Sequence, residues 1–70
     1  MGISYNKLFK LLIDKKMKKK DLMQAAGISP SSMAKLGKDE YVSLEVLIKI
    51  CVALQVDIGD IMEVVLSETE

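Results

Sequence analysis

The chain has 70 residues, half of them apolar, with one cysteine, one proline, no histidine and no tryptophan. That length makes one domain near the lower limit for folding on a single core, and the scarcity of aromatics leaves Leu, Ile, Val, Met and Ala to build it, which favours helices over a sandwich. An internal disulfide, a zinc site and a histidine-based nucleophile pair are excluded for want of parts, and no apolar run nears membrane-spanning length. No basic segment followed by an apolar one opens the chain, so the expected setting is reducing and cytoplasmic.

Ser4 is placed to cap a first helix over about residues 5 to 15, where Tyr5, Leu8, Phe9, Leu12 and Ile13 recur at helical spacing as the expected core face. Met17 bridges to a second helix over about 19 to 26. Leu22 and Ala26 turn inward there, and Gly27 stops the helix, because glycine takes the left-handed backbone without strain. Ser29 and Pro30 start a third helix over about 30 to 36: the serine hydroxyl accepts a free amide, and proline suits the first turn, where its missing N–H costs nothing. Met33 and Leu36 form its apolar stripe and Gly37 is its expected end. Residues 38 to 42, "KDEYV", read as a polar loop anchored by Tyr41.

Ser43 caps a fourth helix to about Gln55, with Glu45 in the first turn where the helix dipole favours an anion. Its expected core stripe is Leu44, Leu47, Ile48, Cys51 and Leu54, leaving Val46, Ile50 and Val52 on other faces. Asp57 caps a fifth, short helix, with Asp60 three residues on as in a capping box and with Ile58, Ile61 and Met62 facing inward. Val64 to Leu66 then end that helix or form a short strand, ahead of a polar tail at 67–70.

The zero net charge hides a division. From Met1 to Lys38 nine lysines face two acids, a balance of +7; from Asp39 to Glu70 one lysine faces eight acids, a balance of −7. Lysines that merely solvate helix faces do not explain this segregation, and a polyanion partner for the first half does. The geometry agrees. Two short helices joined by a glycine turn, the second opening in short side chains, match the helix-turn-helix motif, whose second helix enters the major groove by its N-terminal end. With Lys19 as its first residue, the positions that pack the two helices together hold Leu22, Ala26, Ile28, Met33 and Leu36.

Over about residues 5 to 63 the chain resembles the Cro/C1-type, or XRE-like, helix-turn-helix regulators, through "LLIDKKMKKKDLMQAAGISPSSMAKL", "VSLEVLIKICVAL" and "DIGDIME". It looks most like a subgroup of very small, single-domain members, and the VanU-type regulators of vancomycin-resistance clusters look similar. The resemblance implies a five-helix, all-α, lambda-repressor-like domain over 1–70, with the motif at about 19–38 and helices four and five within 43–63. It implies a bacterial transcriptional regulator, a repressor or modulator acting on double-stranded DNA. Base edges would be read by Pro30, Ser31 and Lys35, with Ser32 beside them; Pro30 offers only apolar contact, as to a thymine methyl, and Lys35 suits guanine. Lys19, at the start of the second helix, and Lys38 would meet phosphate, while Lys18 and Lys20 add charge.

Four departures from the family pattern stand out. Met23 occupies a position that is often alanine, Gly37 replaces a frequent glutamate, and Lys18 stands where a serine or threonine cap is usual. No arginine supplies a bidentate fork for guanine.

Other chemistry is thin. Asp57 with Asp60, or Glu68 with Glu70, read as caps and a solvated tail rather than paired catalytic acids, and Cys51 reads as a buried, inert thiol. The glycines lack phosphate-loop spacing. The expectation is a non-enzyme without metal, cofactor, small-molecule ligand or membrane partner, and the alternative reading is a protein-binding adaptor on a helix-turn-helix scaffold. For assembly, the expectation is a homodimer through Ile61, Val64 and Leu66 with pairing between the two tails; the competing reading folds the tail back onto Ile3 and Tyr5.

Overall fold

The computed structural model describes residues 2–66, and the expected polar tail at 67–70 lies outside them. Strand β1 (Gly2–Ser4) is followed by helices α1 (Asn6–Asp14), α2 (Lys19–Ala26), α3 (Pro30–Gly37) and α4 (Leu44–Leu54), a 3-10 turn at Ile58–Asp60, and strand β2 (Glu63–Val65). The described residues therefore hold four α-helices and a two-stranded ribbon: the domain is mostly helical, the expected fifth helix is a single 3-10 turn, and the alternative of a short strand near Val64 to Leu66 is met by β2.

The expected fifth helix is a single 3-10 turn that opens on a capping box. The Asp57 carboxylate accepts from Ile58 N–H at 3.0 Å, and the Asp57 N–H donates to Asp60 Oδ2 at 3.0 Å. The capping box thus closes over three residues, and the chain then has only Ile61 and Met62 before β2 begins. β2 runs antiparallel to β1, with Gly2 opposite Val65, Ile3 opposite Val64 and Ser4 opposite Glu63. The C-terminal residues accordingly return to the start of their own chain, and Lys7 lies 3.8 Å from Glu63 beside the ribbon.

Helix boundaries follow their caps. The Ser4 hydroxyl accepts from Asn6 N–H at 3.2 Å, but Tyr5 holds the cap position itself, so α1 begins one residue later than expected. Ser43 accepts from Val46 N–H at 3.2 Å to open α4, and Gln55 ends it in the left-handed conformation at φ 58°. α3 runs through Gly37 rather than ending before it; the left-handed position falls at Asp39, φ 56°.

The loop after α3 is anchored differently from the expectation. Tyr41 is 73% exposed, whereas Tyr5 is fully buried. The Tyr5 N–H donates to Asp39 Oδ1 at 2.9 Å and its hydroxyl donates to the Glu40 carbonyl at 3.0 Å, fastening the start of α1 to the loop. Burial, with the Asp39 charge second, pushes the Tyr5 phenol above its ordinary pKa.

Tyr5, Leu8, Leu22, Leu36, Ile50 and Ile61 are the largest fully buried side chains. Three residues expected inside stand in solvent: Ile13, Leu44 and Ile48. In α1, Tyr5, Leu8 and Leu12 complete the inward stripe and Ile13 falls past it. In α4 the helix is rotated so that Ile50, expected on another face, takes the core position. Ile61, expected at a dimer surface, is fully buried inside its own chain and is unavailable to a partner, whereas Val64 and Leu66 are exposed.

Candidate nucleic-acid interface

Local signals build the site. α2 ends at Gly27, φ 68° and ψ 39°, whose N–H donates to the Met23 carbonyl at 2.8 Å; Ile28 N–H reaches the same carbonyl at 3.2 Å. This left-handed residue turns the chain within two positions to Ser29, whose hydroxyl accepts from Ser32 N–H at 3.2 Å and caps α3, with Pro30 in its first turn. Leu22, Ala26, Ile28, Met33 and Leu36 are all buried, so the five positions that join the two helices do so through the core.

At the other end of α2 the missing serine or threonine cap is partly replaced. The Lys18 N–H donates to Asp21 Oδ2 at 2.8 Å, supplying the reach-back half of a capping box. Asp21 also complements the positive end of the helix dipole.

α2 and α3 enclose an open depression of about 480 Å³, lined by Lys19, Met23, Pro30, Met33, Ala34, Gly37 and Lys38. Its lining is mainly apolar, and Lys19 and Lys38 are its two lysines. Met23, the large residue at a position often held by alanine, forms part of the wall. Lys19 is steered by its surroundings: its ammonium lies 5.6 Å from the centre of the Phe9 ring, a cation–π contact, and a methyl added at Gly37 would stand 3.9 Å from it.

The structure thus gathers Pro30, Lys19 and Lys38 around one depression. Ser31 and Lys35 are exposed on α3, and Lys18 and Lys20 are exposed near the start of α2. Ser32 is half-buried and its hydroxyl lies 3.2 Å from that of Ser29, which also lies 3.1 Å from the Ser31 hydroxyl, so the serines brace one another at the head of α3. Two members of the site were not anticipated. Ala34 is exposed in the depression, and its place four residues after Pro30 was the available signal. Gly37 lines the depression next to the Lys19 ammonium, where an added methyl would make only an ordinary contact, and no sequence signal marked that place.

Helix, left-handed glycine turn and proline-started helix, flanked by lysines, define a helix-turn-helix DNA-binding domain. The family model of the Cro/C1-type HTH DNA-binding domain matches residues 7–67, and the chain belongs to that family. It is similar to the crystal structure of the transcriptional regulator VanUg, Form II, with 58% identity over 91% of this chain and 85% of that one and a TM-score of 0.88. No curated protein matches it. Membership of a DNA-binding family sets the chain among non-enzymes. No helix among the described residues is long and apolar enough to cross a membrane.

Proposed function

We propose that this chain is a sequence-specific transcriptional regulator, a repressor or modulator at a bacterial promoter, working in the cytoplasm as one domain over 1–70 and reading the major groove of duplex DNA with α3. One observation carries the reading: the capped head of α3 presents Pro30 and Ser31 to solvent with Lys35 one turn on, while Lys19 and Lys38 line the depression beside it. Similarity to a transcriptional regulator supports the same role.

Lys35 is the candidate guanine contact, with its amine offered to O6 or N7. Pro30 and Ala34 offer apolar contact suited to a thymine methyl, Ser31 accepts or donates, and Ser32 supports it from beside. Lys19 and Lys38 hold phosphates, and Lys18 and Lys20 add charge. A domain of this size reads few base pairs, so the working unit is a homodimer on two half-sites about one helical turn apart.

Selection of genomic fragments with purified protein, followed by electrophoretic titration at several salt concentrations, tests the reading. The expected outcome is enrichment of a two-fold-symmetric sequence whose binding weakens linearly in log salt. Failure to retain any duplex at low salt refutes it and leaves the adaptor reading.

A further inference from the structure

The ion pairs among the described residues are Lys7 with Glu63 and Lys49 with Glu45, and neither holds a lysine of the DNA-binding motif. Lys19 has a partner of another kind: its ammonium lies over the Phe9 ring, 5.6 Å from the centre. Phe9 is the chain's single phenylalanine, yet the fold leaves it half-buried, packed against the core rather than sunk in it.

Two physical points give this contact a use beyond packing. Lys19 is the first residue of α2, and the positive end of a helix dipole disfavours a cation there. Its ammonium therefore needs an attraction to stay near the helix start, and the negative face of an aromatic ring supplies one. The ring is also neutral. A carboxylate in its place would cancel the lysine charge and would have to be displaced by an incoming phosphate, whereas a ring holds the ammonium from one side and leaves its charge intact. Lys19 is exposed and lines the depression between α2 and α3, so an anion can approach it while the ring stays in place.

We propose that Phe9 is the positioning residue for the phosphate contact of Lys19: its ring holds the ammonium beside the depression, so that the lysine meets the DNA backbone already ordered. The proposal rests on the DNA-binding reading above and adds to it a residue of α1 that acts only through Lys19. A free lysine side chain loses its rotamer freedom when it is fixed on a phosphate. With Phe9 beneath it, part of that loss is incurred on folding and no longer weakens binding.

Spectroscopy and binding together test this. In the proton spectrum of the full chain without DNA, the Phe9 ring current should move the Lys19 ε-methylene protons upfield; Phe9→Leu should abolish that shift and Phe9→Tyr should keep it. Binding is read by titrating an arbitrary duplex of about 20 base pairs at low salt, where phosphate contacts dominate. Phe9→Leu should weaken binding about 2- to 5-fold when Lys19 is present and leave it unchanged in the Lys19→Ala background, while Phe9→Tyr should bind as the wild type does. A loss of equal size in both backgrounds assigns Phe9 to the packing of α1 and overturns the positioning role, as does a Lys19 signal that shows no upfield shift. Undiminished binding by Phe9→Leu, beside a wild type that binds, overturns the positioning role alone. A wild type that retains no duplex overturns the DNA-binding reading and the positioning role together.

Discussion

Two glycines in the DNA-binding motif are expected to respond to alanine with opposite signs. At Gly27 the backbone sits at φ 68°, and a methyl there would meet nothing within 4 Å, so Gly27→Ala carries the left-handed backbone penalty without a packing term. That penalty is about 1–2 kcal/mol, partly offset by the reduced entropy of the unfolded chain, giving a net loss of about 1 kcal/mol. Gly37 lies within α3 at an ordinary helical φ, and its only near neighbour would be the Lys19 ammonium at 3.9 Å, the mobile end of a long side chain. Gly37→Ala should therefore gain about 0.5 kcal/mol from helix propensity. For a domain of this size 1 kcal/mol moves the melting temperature by roughly 4–8 °C, so thermal dichroism resolves both effects. Gly27→Asn should recover about half of the alanine loss, because asparagine tolerates the left-handed region. Equal melting temperatures for Gly27→Ala and the wild type, or a loss above about 3 kcal/mol, would refute the assignment of cost to backbone conformation alone.

The DNA-facing lysines and the buried tyrosine give further tests. Lys35→Ala should lose about 1–3 kcal/mol on the selected site while unrelated duplexes lose little, read by competition titration; equal loss on all sequences makes it a phosphate contact instead. Lys19→Ala should weaken all duplexes alike and make the log–log salt dependence shallower by roughly one unit, and an unchanged slope in the same titration removes it from the phosphates. Tyr5→Phe strips the hydroxyl that donates to the Glu40 carbonyl and should cost about 1 kcal/mol in urea melts at neutral pH. Because burial raises the Tyr5 pKa in the folded chain, the tyrosine favours folding fully below its unfolded value near about pH 10 and loses that contribution as pH rises through the higher folded value. Alkaline melts of the wild type should fall more steeply above about pH 10 than those of Tyr5→Phe, and parallel curves would contradict the raised pKa.

The motif at residues 19–38 was legible because its signals are local. Gly27, Ser29 and Pro30 each dictate the backbone of their own position or the next, and the five joining positions follow helical spacing, so neither needs knowledge of the rest of the chain. The ribbon was only half legible, since pairing Gly2 with Val65 joins the two ends of the described chain, and no short window records such a partner. The nearness of Gly37 to Lys19 was hidden for the same reason: it concerns a side chain on another helix.

α4 failed in a more instructive way. Periodicity locates a core face by contrast between apolar and polar positions, and "LEVLIKICVAL" offers only two polar residues four apart. Those two fix which side faces water but leave the apolar arc wide enough to admit either Leu44 with Ile48 or Ile50 as the core contact. The fold chose Ile50. A helix facing one core and otherwise water gains nothing from large apolar side chains on its outer arc, whereas a helix facing two apolar surfaces requires them. The degeneracy that blurred the inward face thus leaves a second apolar line: burying Ile50 places Leu44, Ile48 and Val52 in solvent along one side of α4.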